Sequence, residues 1–272
     1  AVDFYSGTQP INFYSRPTVA IATNTFTKLY IPSNSDFSDF SSFNNTVTSS
    51  GGVSIDNVKY DAGGGSGLYD GVDDLLTIAS STNFDLSAND FSFYVAFRFA
   101  SITTHNNVSL SLITKGRPGQ GASNYAGFRL NVFEDFGKGY KIEVFLSSDT
   151  GDIAVFSPWI SAGVLTPNLG YTLNTTSFYS VNLIKIASNL NLYFEGAQIP
   201  ISFNNDPNPP YTYNIGTVTL NFNSSVPVVI GAIVQVNTAL FQDFFDGNID
   251  EVFISNDTIP VGLRPINYYS LP

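Results

Sequence analysis

The sequence predicts an all-β fold, a sandwich of two antiparallel sheets. Three observations carry this expectation. Apolar residues recur with a period near two along most of the chain. β-Branched and aromatic residues dominate those runs, and Gly, Asn, Asp and Pro separate them. No window of a dozen residues shows a convincing helical stripe, so the crossover helices of a parallel sheet are missing. About a dozen short strands joined by turns therefore suit two packed antiparallel sheets.

In chain order, residues 1–66 form an N-terminal extension or anchor, and this segment has the option of adding strands. At most one turn of helix is expected near residues 35–43, where Asp36, Phe37, Phe40 and Phe43 make a short stripe. Residues 44–67 are rich in Ser, Thr and Gly and read as a loop ending in Gly63-Gly64-Gly65-Ser66-Gly67. The main domain spans residues 67–260. Its clearest strand is Phe91–Phe99, with Phe91, Phe93, Val95, Phe97 and Phe99 on one face. Residues 140–146, 179–186, 189–194, 217–222 and 249–255 read the same way. Residues 115–124 and 204–210 are Gly- and Pro-punctuated loops, since Pro cannot donate to a ladder. The expected core is Phe93, Val95, Phe97, Phe99, Val144, Val252 and Ile254, or their neighbours, because a one-residue slip exchanges the faces. Residues 261–272 are a C-terminal arm.

Composition narrows the function. The 272 residues carry 11 Lys and Arg against 22 Asp and Glu, a formal charge of -11. A nucleic-acid binder needs a basic patch, and an anionic membrane surface would repel this chain. No apolar run is long enough to span a bilayer, so membrane insertion is not expected. Only 12% of residues are charged; polarity comes from 27 Asn, 31 Ser and 22 Thr, which make a neutral, hydrogen-bonding surface. Cys is absent and His occurs once, at His105. Thiol nucleophiles, zinc–thiolate sites and Ser-His-Asp chemistry are thereby set aside. Glu134-Asp135 and the pair Asp149 and Asp152 lack the spacing of glycosidase carboxylates, and Gly63–Gly67 has no following Lys-Ser/Thr. A non-enzymatic binding or structural protein is expected.

Two near-identical segments bracket the chain. Residues 10–17 read Pro-Ile-Asn-Phe-Tyr-Ser-Arg-Pro and residues 265–272 read Pro-Ile-Asn-Tyr-Tyr-Ser-Leu-Pro, identical at six of eight positions. Ile11, Phe13, Tyr14, Ile266, Tyr268 and Tyr269 supply the apolar area. One reading makes both segments edge strands or arms on their own domain. The other docks them on neighbouring subunits, since Pro-bounded extended peptides lose little entropy on ordering.

The segment Phe245-Asp246-Gly247-Asn248-Ile249-Asp250-Glu251-Val252-Phe253-Ile254 has a counterpart in Tyr69-Asp70-Gly71-Val72-Asp73-Asp74-Leu75-Leu76-Thr77-Ile78. Phe84-Asp85-Leu86-Ser87 and the strand Phe91–Phe99 follow it. Together these resemble the laminin-G-like, concanavalin-A-like lectin jelly-roll family, over residues 68–259. Leu112-Ile113-Thr114-Lys115-Gly116 and Leu192-Tyr193-Phe194-Glu195-Gly196 fit the same pattern, with Glu195 where that family has Asp. The resemblance implies a jelly-roll sandwich and a structural Ca²⁺ on it. With Val252 and Ile254 facing the core, Asp250 is expected on the same face, where its carboxylate needs backbone donors or a cation. Asp70, Asp73 and Asp74 are expected nearby, and the four make a hard-oxygen set for Ca²⁺. The other reading leaves these residues as turn formers bonded to adjacent amides.

A glycan site needs planar aromatics beside amides or carboxylates. Trp159, Tyr125, Tyr193 and Tyr211 are the candidates, with Tyr140 and Tyr213 behind them. Asn-x-Ser/Thr sequons occur at Asn44, Asn107, Asn174, Asn223 and Asn256. The expected protein is a surface-exposed adhesion or structural protein of an extracellular or virion assembly, such as a decoration or fibre subunit. Its partners are glycans and, through the terminal arms, other subunits. The alternative is a free secreted, calcium-dependent carbohydrate-binding protein.

Overall fold

Strand alternation produces the two sheets directly. The computed structural model describes residues 25–61, 63–102, 108–116, 126–135, 139–149, 151–157, 159–161, 168–201, 210–222, 225–234 and 241–257. Among them are strands, turns and a single 3-10 turn at Thr82–Phe84. Sheet A has the order β15 (Ala197–Ile199), β14 (Asn189–Phe194), β13 (Tyr179–Ile186), β6 (Phe91–Phe99), β20 (Asp246–Ser255), β4 (Ser66–Asp70) and β3 (Ser54–Asp56). β1 (Thr27–Ile31) also pairs with β20, and β16 (Thr212–Asn214) with β14. Sheet B has the order β10 (Ile153–Phe156), β9 (Gly139–Leu146), β8 (Phe128–Asp135), β7 (Val108–Lys115), β17 (Val228–Ile230), β5 (Leu75–Ile78) and β2 (Val47–Ser50). Every pairing in the two large sheets is antiparallel. Two small ladders accompany them, a parallel pair of β11 (Trp159–Ser161) and β12 (Asn168–Tyr171) and a hairpin of β18 (Ile233–Val234) and β19 (Phe241–Gln242).

The sheets close on an aromatic core. Phe93, Val95, Phe97, Phe99, Val144, Val252 and Ile254 all lie in it. Phe93 of sheet A stacks on Phe128 of sheet B at 4.3 Å, and Phe99 meets Tyr140 at 5.0 Å. Every residue of β6 is buried, the outward series included, so this central strand is covered on both faces.

Several segments differ from the expectation. The loop read at residues 44–67 contains β2 and β3, short edge strands whose polar side chains face solvent and hide the alternation. Residues 35–43 hold no helical turn. Instead the Asp39 carboxylate gathers the amides of Tyr30, Ser41 and Asn45, the Ser41 hydroxyl and the Asn45 side-chain amide at 2.7–2.9 Å, competing successfully with helix formation. Residues 217–222 form one isolated bridge, Ser148 with Leu220, because a turn closed by Val218 N–H to the Ile215 carbonyl bends the chain away. Leu220 and Phe222 still reach the core.

The largest correction concerns Asp250. β20 pairs with β6 along one edge. Along its other edge it meets β4 at Asp246–Ile249 and then β1 at Val252–Ser255, end to end. A β-bulge fills the seam: the register with β6 slips between Asp250 and Phe253, and Glu251 takes φ +51°. Ile249 and Val252 consequently both face the core, and Asp250 turns to the outer face opposite Ala96, away from Val252 and Ile254. Its carboxylate accepts from Asp61 N–H at 2.9 Å and Glu251 N–H at 2.8 Å. The Tyr30 hydroxyl donates to Glu251 at 3.0 Å across the same seam.

Asp250→Ala strips a fully buried carboxylate from these amides. Urea denaturation is expected to show a loss of about 1–3 kcal/mol. Lys115 offers a second test. It is buried at the end of β7, donating weakly to Ser80 Oγ and the Val226 carbonyl. Burial pulls its ammonium down to about 8, opposed by the nearby Asp85. Between that value and its ordinary one the unfolded chain binds the extra proton, so this group's contribution to stability rises with pH across that window and is least below it. Lys115→Met is therefore expected to gain about 1–3 kcal/mol at pH 7. Relative to the wild type, that gain should shrink as pH rises from about 8 to 10 in parallel denaturation series.

Candidate functional site

Among the described residues, three regions carry surface chemistry. The first lies at the free edge of sheet A. Core-facing Leu190, Leu192 and Phe194 alternate with outward Asn189, Asn191 and Tyr193 on β14. β16 and β15 lie end to end along that strand, setting Asn214 across from Asn189, Thr212 from Asn191, and Gln198 from Tyr193. The outward side chains bond to one another. Asn191 Oδ1 accepts from Gln198 Nε2 at 3.1 Å and Thr212 Oγ1 at 2.8 Å, and Asn189 Oδ1 accepts from Asn214 Nδ2 at 2.8 Å. Gln198 Nε2 also holds the carbonyl of Tyr211 at 2.8 Å, beside a Tyr211 residue that is 59% exposed. Burial pushes the Tyr193 hydroxyl up from its ordinary value. The result is a neutral, mutually hydrogen-bonded ladder of amides flanked by Tyr193 and Tyr211.

The second region is the acidic turn between β4 and β5. Asp70 Oδ1 accepts from Val72 N–H at 2.8 Å, which closes an Asx turn. Gly71 takes φ +75° against Asp246, a conformation that favours glycine. Asp70, Asp73 and Asp74 then offer carboxylate oxygens within 4.8 Å of one another. Asp74 is buried; its Oδ2 accepts from Asp70 N–H at 3.0 Å, and its Oδ1 lies buried beside the β2–β3 turn without a well-formed hydrogen bond. Burial pushes the Asp74 carboxyl up and the charges of Asp70 and Asp73 push the same way, opposed by the backbone amides of Asp70 and Gly52. Asp250 is not part of this group. Asp246 is the residue opposite Asp70, which leaves Asp250 about 13 Å along the strand.

The third region was not anticipated from the sequence. A cleft of about 360 Å³ is lined by Phe37, Ser38, Asp39, Asn44, Asn45, Thr46, Val47 and Ser49. It combines one aromatic wall with hydroxyls and amides. Its only sequence signal is the Ser/Asn/Thr bias of residues 38–50, which reads equally well as loop.

Two further sequence candidates belong to the core or pack against it. Tyr140 is 4% exposed and shares its hydroxyl with Glu134, so it is a core residue. Tyr213 packs against the core from β16. The backbone of Trp159 starts β11, while its side chain lies outside the described residues, as do Tyr125, Ile11, Phe13, Tyr14, Ile266, Tyr268 and Tyr269. Among the described residues no helix is long and apolar enough to cross a membrane.

No family model matches the chain, and no curated protein matches it in sequence. Solved structures do match in fold. The binding domain of Paraclostridial Mosquitocidal Protein 1 superposes with a TM-score of 0.60 at 11% identity, covering 89% of this chain and 51% of that one. The receptor binding domain of botulinum neurotoxin mosaic serotype C/D gives 0.57 at 15%, covering 89% and 50%. Domain 4 of AbnA, a GH43 extracellular arabinanase from Geobacillus stearothermophilus, in complex with arabinotriose, gives 0.53 at 11%, covering 89% and 97%. The chain spans about half the length of the first two. At these identities the likeness is one of fold: a β-sandwich of the kind used by receptor- and carbohydrate-binding domains.

Proposed function

We propose that this protein is a non-enzymatic glycan-recognition module of an extracellular or virion surface, with a laminin-G-like sandwich as its scaffold. The observation that carries the reading is the amide ladder of Asn191, Gln198 and Thr212 between Tyr193 and exposed Tyr211. Sugars present C–H faces to aromatic rings and hydroxyls to oriented amides, and this surface supplies both with no charge to desolvate. The fold is one that AbnA domain 4 uses while holding arabinotriose. Its role as a decoration or fibre subunit of a larger assembly rests on the repeated terminal motif, both copies of which lie outside the described residues.

Ca²⁺ fits the acidic turn. Asp70, Asp73 and Asp74 are hard oxygen donors, and the buried Asp74 Oδ1, which has only a loose contact to the Gly52 amide, would gain a partner in a cation. Bound there, the ion would brace the β4–β5 turn against the β2–β3 turn, a structural task.

Two measurements test these readings. On a glycan array, the wild type is expected to bind a neutral oligosaccharide, and Tyr211→Ala to weaken the best hit about tenfold in calorimetry, equal to about 1.4 kcal/mol. Array silence, or a Tyr211→Ala variant that binds unchanged, removes the sugar from this surface. In thermal melts, Ca²⁺ at about a hundred times its Kd adds about 2.7 kcal/mol, a rise on the order of 5 °C over chelator for a domain of this size. Asp74→Asn should abolish the rise while Asp250→Ala should keep it.

A further inference from the structure

The cleft beside Phe37 is used neither by the amide ladder nor by the acidic turn. It opens where the chain crosses from β1 of sheet A to β2 of sheet B, in the edge of the sandwich. Strand pairing explains why that edge stays open. Val47 and Ser49 lie opposite Ile78 and Leu76, both core residues, so all four side chains share the inner face. Val47 packs against the core, but Ser49, in the same phase, carries a hydroxyl and is exposed. On sheet A, Gly67 lies opposite core-facing Ile249 and brings no side chain to the interior. Phe37 enters from the loop in its place, with its ring 3.1 Å from where a Gly67 Cβ would stand. The interior therefore ends in a half-buried aromatic ring and polar groups rather than in packed apolar side chains.

The lining selects the class of ligand. Asp39 Oδ1 accepts from the amides of Tyr30 and Ser41, and Oδ2 from the Asn45 amide, Asn45 Nδ2 and the Ser41 hydroxyl. Those donors use up the carboxylate and leave no lone pair for a cation. Its charge, in a chain of net charge -11, disfavours an anion. What stays available is neutral. Among the described residues, the side chains of Ser38, Asn44, Thr46 and Ser49 form no hydrogen bond, so three hydroxyls and an amide line the cleft beside one ring. The Asp39 bonds tie residues 30, 41 and 45 together, so the walls are set before any ligand arrives. At about 360 Å³ the cleft is near the small end of ligand pockets, which run from about 300 to 1,000 Å³, and it suits a chain end rather than a polymer.

We infer that this cleft is a second ligand site, one that takes the terminal neutral sugar of a glycan, with a C–H face of the sugar on Phe37 and its hydroxyls on Ser38, Asn44, Thr46 and Ser49. The inference shares with the glycan reading only the class of ligand. The two places are separate: β14, which carries the amide ladder, and β1 are four strand spacings apart in sheet A, about 19 Å. Sites on two sides of one sheet hold two chain ends, or two ends of one branched chain, and gain avidity with no new contact.

The probes are the methyl glycosides of glucose, galactose, mannose and arabinose, titrated into the full chain and followed by amide NMR. At least one is expected to bind in the millimolar range and to shift the amides of residues 37–49. Ser49→Val removes a hydroxyl at a position where an apolar side chain matches the core phase, so the variant should melt at or above the wild type and bind about fivefold more weakly. Ser49→Phe, which fills the cleft, should abolish binding there. Silence with all four probes overturns the inference. Shifts confined to residues 189–214 also overturn it, while leaving the amide ladder standing. Unchanged affinity in both Ser49 variants overturns it as well. Shifts at residues 37–49 that both variants reduce sustain it, even where the ladder binds nothing.

Discussion

The seam in β20 organises this protein. One strand of ten residues pairs with β6 on one side and must pair with two different strands, β4 and then β1, on the other. A regular ladder cannot pass that junction without leaving backbone amides unpaired. The bulge at Asp250 and Glu251 absorbs the extra residue, and the Asp250 carboxylate takes two of the amides, one of them from the loop that precedes β4. Beyond the bulge the alternation resumes one residue out of phase, which places Val252 and Ile254 on the sandwich interior. Asn248, just before it, is free to face outward and receive Arg98, whose guanidinium donates to Asn248 Oδ1 and to the Thr175 carbonyl.

The seam separates two carboxylate sites that belong to one sequence signature. Asp250 is consumed by backbone amides and acts as a strut. The acidic turn at Asp70–Asp74 lies at the other end of the β4 pairing, where burial and the charges of Asp70 and Asp73 push the Asp74 carboxyl up. The same division holds for aromatics. Tyr140 is drawn into the core and Tyr213 packs against it, while Tyr193 and Tyr211 stay at an edge where β15 and β16 continue the sheet with amide-bearing residues. A net-negative molecule with few charged side chains suits neutral, hydroxyl-bearing ligands better than polyanions.

How much of the candidate site could be read in advance depends on sequence separation. Asp70, Asp73 and Asp74 are local, and an Asp-Gly turn forces neighbouring carboxylates together whatever the rest of the chain does. Tyr193 and Tyr211 could be named as aromatics near turns. Their partnership through Gln198 could not, because it depends on β15 and β16 sharing one edge of β14. The cleft beside Phe37 was illegible for a related reason: its walls are held by Asp39, whose five hydrogen bonds reach residues 30, 41 and 45. Nothing in the Asp39 neighbourhood distinguishes it from any other loop carboxylate.

The sequence by itself determined the class of fold, the central strands and the core face of β6, because period-two burial is a local property written into Phe93, Val95, Phe97 and Phe99. Composition, which needs no geometry, also fixed which residue types this chain lacks: it has no Cys and a single His. Only the tertiary structure decided the face of Asp250, the strands hidden in residues 44–67, and the neighbours of Tyr193. Each depends on which strand lies alongside, and strand adjacency is a long-range outcome that a one-residue bulge can invert without leaving any mark in the pattern of side chains.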